Sequence, residues 1–97
     1  MKTREYYISI LKNFKLQHVE KFGLRSIGIF GSVSRNEHTE DSDLDVFVDV
    51  SKQDYFLMDE MREELERLCG CRVDLVRLRP TLRPLLLKRI QEDGIYA

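Results

Sequence analysis

Two aspartates separated by one residue, Asp43 and Asp45, are the side chains of this sequence best suited to chemistry. They are predicted to lie on one strand, where residues two apart point to the same face and have Cα atoms about 6.6 Å apart. Two like charges at that distance repel by roughly 2.5 kcal/mol at an effective dielectric near 20. A divalent cation turns that repulsion into attraction, and Mg²⁺ prefers carboxylate and phosphate oxygens. The alternative is that Asp43 caps a turn while Asp45 points into solvent.

A third acid, Asp74, favours the metal-site interpretation. It interrupts the otherwise apolar stretch 73–76, which is predicted to be a strand. Aspartate is unfavourable in strands, so its presence there suggests a function. If this strand pairs beside the strand of Asp45, three carboxylates share one face and can hold one or two divalent ions for phosphoryl or nucleotidyl transfer. The alternative is a surface residue on an edge strand, paired with Arg72 or Arg77.

The dipeptide Gly31-Ser32 follows an apolar predicted strand and suits a phosphate. Glycine permits unusual backbone angles and leaves space beside the backbone. The start of a helix offers unpaired N–H groups, and Ser32 adds a hydroxyl donor. The same dipeptide is also compatible with a plain turn.

The hydrophobic periodicity and the turn residues predict an order of helix, strand, turn, strand, helix, strand and helix. This order predicts an α+β fold, a small mixed sheet of about three strands covered by helices, in a single domain spanning residues 1–97. The predicted elements are a helix over 3–22, a strand over 26–30, a helical turn over 32–36, a loop over 37–42, a strand over 44–50, a helix from Asp54 to Gly70, a strand over 71–76 and a helix from Thr81 and Pro84 to Gly94.

Composition limits the classes of function. The 97 residues carry a net charge of −1, so no overall field draws the chain to nucleic acid or to a membrane. The chain has no apolar run as long as a membrane span and no signal-peptide pattern, which predicts a cytoplasmic protein. Cys69 and Cys71 are too close together for an ordinary disulfide or zinc pair. They are interpreted as small hydrophobic residues, one or both of them buried.

The combined pattern resembles a known signature. The pattern consists of Gly31-Ser32, two further residues, Arg35, seven further residues and then Asp43-Leu44-Asp45. It resembles the signature of the DNA polymerase β-type nucleotidyltransferase superfamily, in particular its minimal branch. The resemblance covers nearly the whole chain, including the strand at 73–76 and the leucine-rich last helix.

The resemblance implies roles for the residues of the signature. Asp43 and Asp45 would be metal ligands, and Asp74 would be a third ligand or a general base. The cofactor would be Mg²⁺, as one or two ions, and ATP would be the substrate. Gly31 and Ser32 would hold the nucleotide triphosphate.

Two neighbouring residues qualify this pattern. Arg35 would support the triphosphate or its loop, although a surface pair with Glu37 is the alternative. Asn36 departs from the family, which often has glycine after the arginine. Asparagine is the next-best residue for a left-handed backbone angle, so the loop is expected to keep its shape.

The resemblance also implies a partner. Members of the minimal branch resemble antitoxins paired with HEPN-type toxins, and some of them transfer AMP from ATP to a tyrosine of the toxin. The alternatives are an antitoxin that neutralises its partner by contact alone and an RNA-tailing enzyme. The last is disfavoured because a small, nearly neutral chain has little surface that could follow a strand.

The C-terminal third leaves two interpretations open. It carries a basic run without intervening acids, formed by Arg77, Arg79, Arg83, Lys88 and Arg89. Such a run can bind phosphates but is more often a solvated helix face. The apolar residues of the last helix span more than one face, which is compatible either with burial or with a partner-binding surface.

Overall fold

The computed structural model describes residues 1–51 and 54–97, and the elements follow the predicted order with one addition. They are α1 (Arg4–Phe22), β1 (Leu24–Phe30), α2 (Gly31–Ser34), β2 (Leu44–Val50), α3 (Tyr55–Cys69), β3 (Val73–Arg77), α4 (Pro84–Asp93) and β4 (Ile95–Tyr96).

Side-chain caps and glycines set the bounds of the two long helices. The Thr3 hydroxyl accepts a hydrogen bond from the amide of Tyr6 at 3.2 Å and begins α1. Asp54 begins α3, where its carboxylate accepts from the second and third amides of the helix. Gly23 and Gly70 end these helices with φ angles of 63° and 67°, a backbone region that favours glycine. These limits confirm the predicted starts and stops.

The four strands form one mixed sheet in the order β3-β2-β1-β4. β1 runs antiparallel to both β2 and β4, while β2 and β3 are parallel. The predicted sheet of about three strands therefore did not include β4, the strand at one edge of the sheet. The missing strand has only two residues, directly after Gly94, and two residues are too few to display an alternating pattern.

Alternation along β2 assigns the two faces of the sheet. Val46 and Val48 belong to the larger core, which contains the buried side chains of α1 and α3. Phe47 belongs to a smaller core with Ile90 of α4. Because successive strand residues point to opposite faces, Asp45 lies on the same face as Phe47. The helix α4 and the carboxylate of Asp45 are therefore on the same side of the sheet.

Two further findings concern the rest of the chain. Both cysteines are free, and Cys69 is buried while Cys71 is partly exposed. Cys69 therefore behaves as the predicted small hydrophobic residue.

Within residues 1–51 and 54–97, no helix combines the length and the apolar character needed to cross a lipid bilayer.

Candidate active site

Asp45 and Asp74 lie side by side on neighbouring strands. The parallel register of β2 and β3 pairs them directly, and adjacent strands are about 4.8 Å apart. Val73 belongs to the larger core while Val76 packs against the smaller one, so Asp74 is on the same face as Val76. The sheet thus brings these two acids, which are far apart in sequence, to one face beneath α4.

Asp43 does not lie on the strand, contrary to the prediction. It precedes the first residue of β2 and is exposed. Its Oδ1 is 3.1 Å from Nε of Arg72, in the segment that leads into β3. The amide of Leu44 donates to the carbonyl of Arg72 at 2.9 Å, which aligns the two segments. Arg72, offered as a partner for Asp74, therefore pairs with Asp43 instead.

Gly31 brings the end of β1 against the carboxylate of Asp45. Its φ of 74° is in the left-handed region. A methyl group added at Gly31 would collide with Oδ2 of Asp45, so no larger residue fits this turn without moving the acid. The turn is held from inside, because the buried hydroxyl of Ser34 donates to the carbonyl of Gly31 at 2.7 Å.

The residues after Gly31 form a short, braced turn. Ser32 is half-buried, and no hydrogen bond between the described residues uses its hydroxyl. Asn36 has a φ of 58°, which confirms the expected left-handed backbone. The guanidinium of Arg35 reaches Glu37 at 3.0 Å and Asp93 of α4 at 2.6 Å. The predicted surface pair of Arg35 is thus present, and a second carboxylate joins it to α4.

The pKa of Asp45 is shifted by its surroundings in the site. Burial, together with the nearby carboxylates of Asp74 and Asp43, raises the pKa of Asp45 to about 6. The positive charges of Arg89 and Arg35 act in the opposite direction. A half-buried carboxyl among other carboxyls is poised to receive a cation.

The donor set of this site fits a hard divalent cation. It consists of carboxylates alone, which Mg²⁺ prefers over nitrogen or sulfur ligands. Within the two described stretches, however, no group of three or more His, Cys, Asp or Glu side chains already has the arrangement of a metal site. The ion pair that holds Asp43 on Arg72 is one physical reason, because that carboxylate is directed to a guanidinium.

Comparison with known proteins gives this geometry a context. The family described as the nucleotidyltransferase domain matches residues 11–97. The chain belongs to this family. The resemblance found in the sequence is thereby confirmed, and this nucleotidyltransferase has the α+β fold that the resemblance implied.

Individual relatives are similar to this nucleotidyltransferase over nearly its full length. The protein adenylyltransferase MntA of Thermococcus cleftensis is 41% identical over 97 residues, covering 99% of this chain and 97% of the relative. A solved structure described as a minimal nucleotidyltransferase is 28% identical with a TM-score of 0.75, covering 97% and 95% of the two chains. A toxin–antitoxin crystal structure with AMP-PNP has a TM-score of 0.77 at 24% identity over 92% of this chain and 70% of the other, a likeness that concerns the fold.

One residue near the candidate site, Arg89, was not predicted as part of it. The sequence placed Arg89 only in a basic run, for which phosphate binding and a solvated helix face were both left open, whereas in the structure its charge acts on Asp45. Arg89 and Asp93 are four residues apart in α4 and therefore share a face, and Asp93 contacts Arg35. That face is directed toward α2. The helical spacing between positions 89 and 93 was the available signal, but the partner of Asp93 could not be read from the sequence.

Proposed function

We propose that this nucleotidyltransferase transfers AMP from Mg-ATP to a tyrosine hydroxyl of a HEPN-type toxin and thereby acts as its antitoxin in the cytoplasm. The observation that carries the proposal is the pairing of Asp45 with Asp74 beside the left-handed turn of Gly31. The relative from Thermococcus is named a protein adenylyltransferase, and one fold neighbour is a toxin–antitoxin structure with AMP-PNP. Both support the proposal.

The proposed reaction exchanges one P–O bond for another. The acceptor hydroxyl oxygen attacks the α-phosphorus of ATP, the bond to the bridging oxygen of the β-phosphate breaks, and pyrophosphate leaves. Asp74 takes the proton of the hydroxyl, as a general base within reach of the acceptor. Gly31 and Ser32 hold the triphosphate, because the left-handed turn at Gly31 lies against the carboxylate of Asp45 and the Ser32 hydroxyl is available as a donor. Arg35 supports that turn through its ion pairs.

Mg²⁺ would be held by Asp43, Asp45 and Asp74 and would supply charge stabilisation between the reacting oxygens. Asp45 contributes a carboxylate whose ionisation is costly without a cation. Asp43 contributes only after its carboxylate leaves Arg72, and its exposure makes that exchange inexpensive, since exposed ion pairs are worth about 0–1 kcal/mol.

A second candidate function is an antitoxin that acts by contact alone. The ion pair between Asp43 and Arg72 favours it, because that carboxylate is engaged without a metal ion. In this case the carboxylates would be dispensable for neutralising the toxin, provided that the complex still forms.

The experiment that separates the two candidates uses ATP labelled on the α-phosphate, Mg²⁺ and the protein encoded beside this chain. The wild type is expected to label the partner, and the double variant Asp43→Ala, Asp45→Ala is expected to lose at least about 10³-fold in rate, as when a catalytic metal site is removed. The matched control is Asp59→Ala, Glu63→Ala, which removes two exposed carboxylates of α3.

The outcomes are distinct for the two functions. Labelling by the wild type and the control, but not by the double aspartate variant, supports transfer. Equal labelling by all three proteins contradicts the proposed site. Absence of labelling, together with full neutralisation of the toxin by the double aspartate variant, contradicts transfer and supports the antitoxin that acts by contact.

A further inference from the structure

A groove follows the outer side of β3, between the first turns of α3 and α4, and has a volume of about 420 Å³. We call it the β3 groove. Five aliphatic or thioether side chains contribute to its lining: Met58, Leu75, Val76, Leu82 and Leu86. At its rim Tyr55 is 86% exposed. The groove thus offers an apolar floor at the edge strand of the sheet.

Three arginines, Arg77, Arg79 and Arg83, also line the β3 groove. None of them forms an ion pair with a residue in the described parts of the chain. The only acid in the lining is Asp54, and its carboxylate already caps α3. The two residues outside the described ranges are lysine and glutamine, which carry no negative charge. Three arginines against one aspartate leave the lining of the groove net positive, in a chain whose net charge is −1.

One of these arginines is partly desolvated. The Nε of Arg77 is buried and has no hydrogen-bond partner among the described residues. A buried donor left without a partner is costly, and a carboxylate that enters the groove can accept from the rest of this guanidinium. The apolar floor and the unpaired arginines together select an acidic ligand that also carries apolar side chains.

On the face of β3 that carries Asp74, the β3 groove begins two residues farther along the strand, about 6.6 Å at the usual rise of a strand, and Asp74 itself does not line it. Val76 lies two residues from Asp74 on the same face of β3, and Val76 lines the groove. The turn of Gly31 is at the end of β1, and β2 separates β1 from β3. Nucleotidyl transfer keeps the attacking and leaving oxygens roughly in line. If the triphosphate binds at Gly31, the acceptor must therefore enter from the side of β3.

We propose that the β3 groove docks the segment of the acceptor protein that carries the modified hydroxyl, and that it selects segments with acidic and apolar residues. This inference rests on the proposed function, whose acceptor side it specifies. Carboxylates of the segment contact the three arginines, and apolar side chains occupy the floor. A protein segment suits this surface better than RNA, because the floor is aliphatic and the positive charge is confined to one short stretch.

Binding of two fluorescent peptides tests the inference without ATP. Both contain a central tyrosine flanked by leucines, and they differ only in having two glutamates or two lysines beside them. The glutamate peptide is expected to bind the wild type at least about tenfold more tightly, because arginine–carboxylate contacts are charge-assisted. The double variant Arg79→Glu, Arg83→Glu is expected to reverse that order. Arg77 is left unchanged because its Nε is buried.

A double variant with the same change of net charge is the matched control. Lys12→Glu, Lys21→Glu reverses the charge of two exposed residues of α1 that do not line the β3 groove, and it is expected to keep the preference for the glutamate peptide. Circular dichroism melting establishes that each variant is folded. Reversal by the arginine variant alone, with the control unchanged, supports the β3 groove.

Three results would overturn the inference. The first is that the wild type has the same dissociation constant for both peptides, or binds neither at millimolar concentration. The second is that the arginine variant keeps the wild-type preference for the glutamate peptide. A single-stranded oligouridylate could instead bind the groove more tightly than the glutamate peptide, which would assign the surface to nucleic acid.

Labelling with ATP distinguishes this failure from failure of the proposed function. Equal AMP transfer to both peptides removes the selective groove and leaves the transfer activity intact. Selective binding of the glutamate peptide, with no AMP transferred to any acceptor, supports the groove and contradicts the transfer.

Discussion

Asp45 is the residue where the requirements of folding and of the proposed chemistry conflict. Burial, with Asp74 and Asp43 as further causes, raises the pKa of its carboxyl from 3.8 to about 6. A folded-state pKa above the unfolded value means that the ionised side chain destabilises the folded protein. Retaining an acid at this position is understandable if a cation neutralises it during function.

The variant Asp45→Asn is expected to be more stable than the wild type when metal is absent. The penalty of the ionised carboxyl is absent below the unfolded pKa of 3.8 and complete above about 6. At pH 8 the gain should be about 1 kcal/mol, a value reduced from the full shift because solvent screens a half-exposed carboxyl. Urea unfolding in EDTA at pH 8 and pH 4.5 measures the difference in the free energy of unfolding between the variant and the wild type. A difference between the two proteins that does not shrink at pH 4.5 would contradict the assigned cause.

Gly31 gives a second prediction at the residue scale, with Gly70 as its control. Both have positive φ angles, 74° and 67°, but a methyl group at Gly31 meets Asp45 whereas one at Gly70 meets nothing within 4 Å. Gly70→Ala should cost about 1–2 kcal/mol from backbone strain alone. Gly31→Ala should cost more and should also weaken binding of Mg-AMP-PNP. Urea unfolding and calorimetry test this, and equal effects of the two substitutions would argue against a close approach at Gly31.

At the scale of elements, α4 contributes charge as well as apolar surface. Ile90 packs in the smaller core, while Asp93 holds Arg35 at 2.6 Å. Arg89, one turn before Asp93, directs its positive charge toward Asp45 and has no ion pair with the described residues. The helix therefore adds a cation beside the turn where the triphosphate is proposed to bind.

Arg89→Ala is expected to weaken binding of AMP-PNP by about tenfold, since a charge-assisted contact to phosphate is lost. Binding of AMP, which lacks the outer phosphates, should change little. Lys88→Ala is the matched control, because Lys88 is exposed and its Nζ lies 3.9 Å from Glu92. Titration calorimetry with both nucleotides measures the effect. Equal losses for AMP and AMP-PNP would mean that Arg89 acts on the fold rather than on the triphosphate.

The elements also differ in how far the sequence predicts them. Helix limits at Gly23, Asp54 and Gly70 were predicted because caps are local chemistry. The pairing of β2 with β3 was only conditional, because register depends on contacts between distant segments. The ion pair of Asp43 with Arg72 and that of Arg35 with Asp93 were not predicted for the same reason.

At the scale of the whole molecule, the order of the strands separates two sides of the proposed reaction. The turn of Gly31 follows β1, Asp45 lies on the central β2, and Asp74 lies on the edge strand β3. The nucleotide and the acceptor can thus approach the two aspartates from different directions. The resemblance in the sequence identified these residues, but only the assembled sheet relates them to the β3 groove.

The central claim is that the aspartates and the Gly31 turn together bind a metal–nucleotide complex. A crystal structure with Mn²⁺ and AMP-CPP, whose α–β phosphate link resists transfer, tests it most directly through the anomalous signal of manganese. We expect at least one manganese ion between Asp43 and Asp45, with Arg72 released and the triphosphate on Gly31 and Ser32. Manganese and nucleotide bound away from these residues, with Asp43 still on Arg72, would contradict the account.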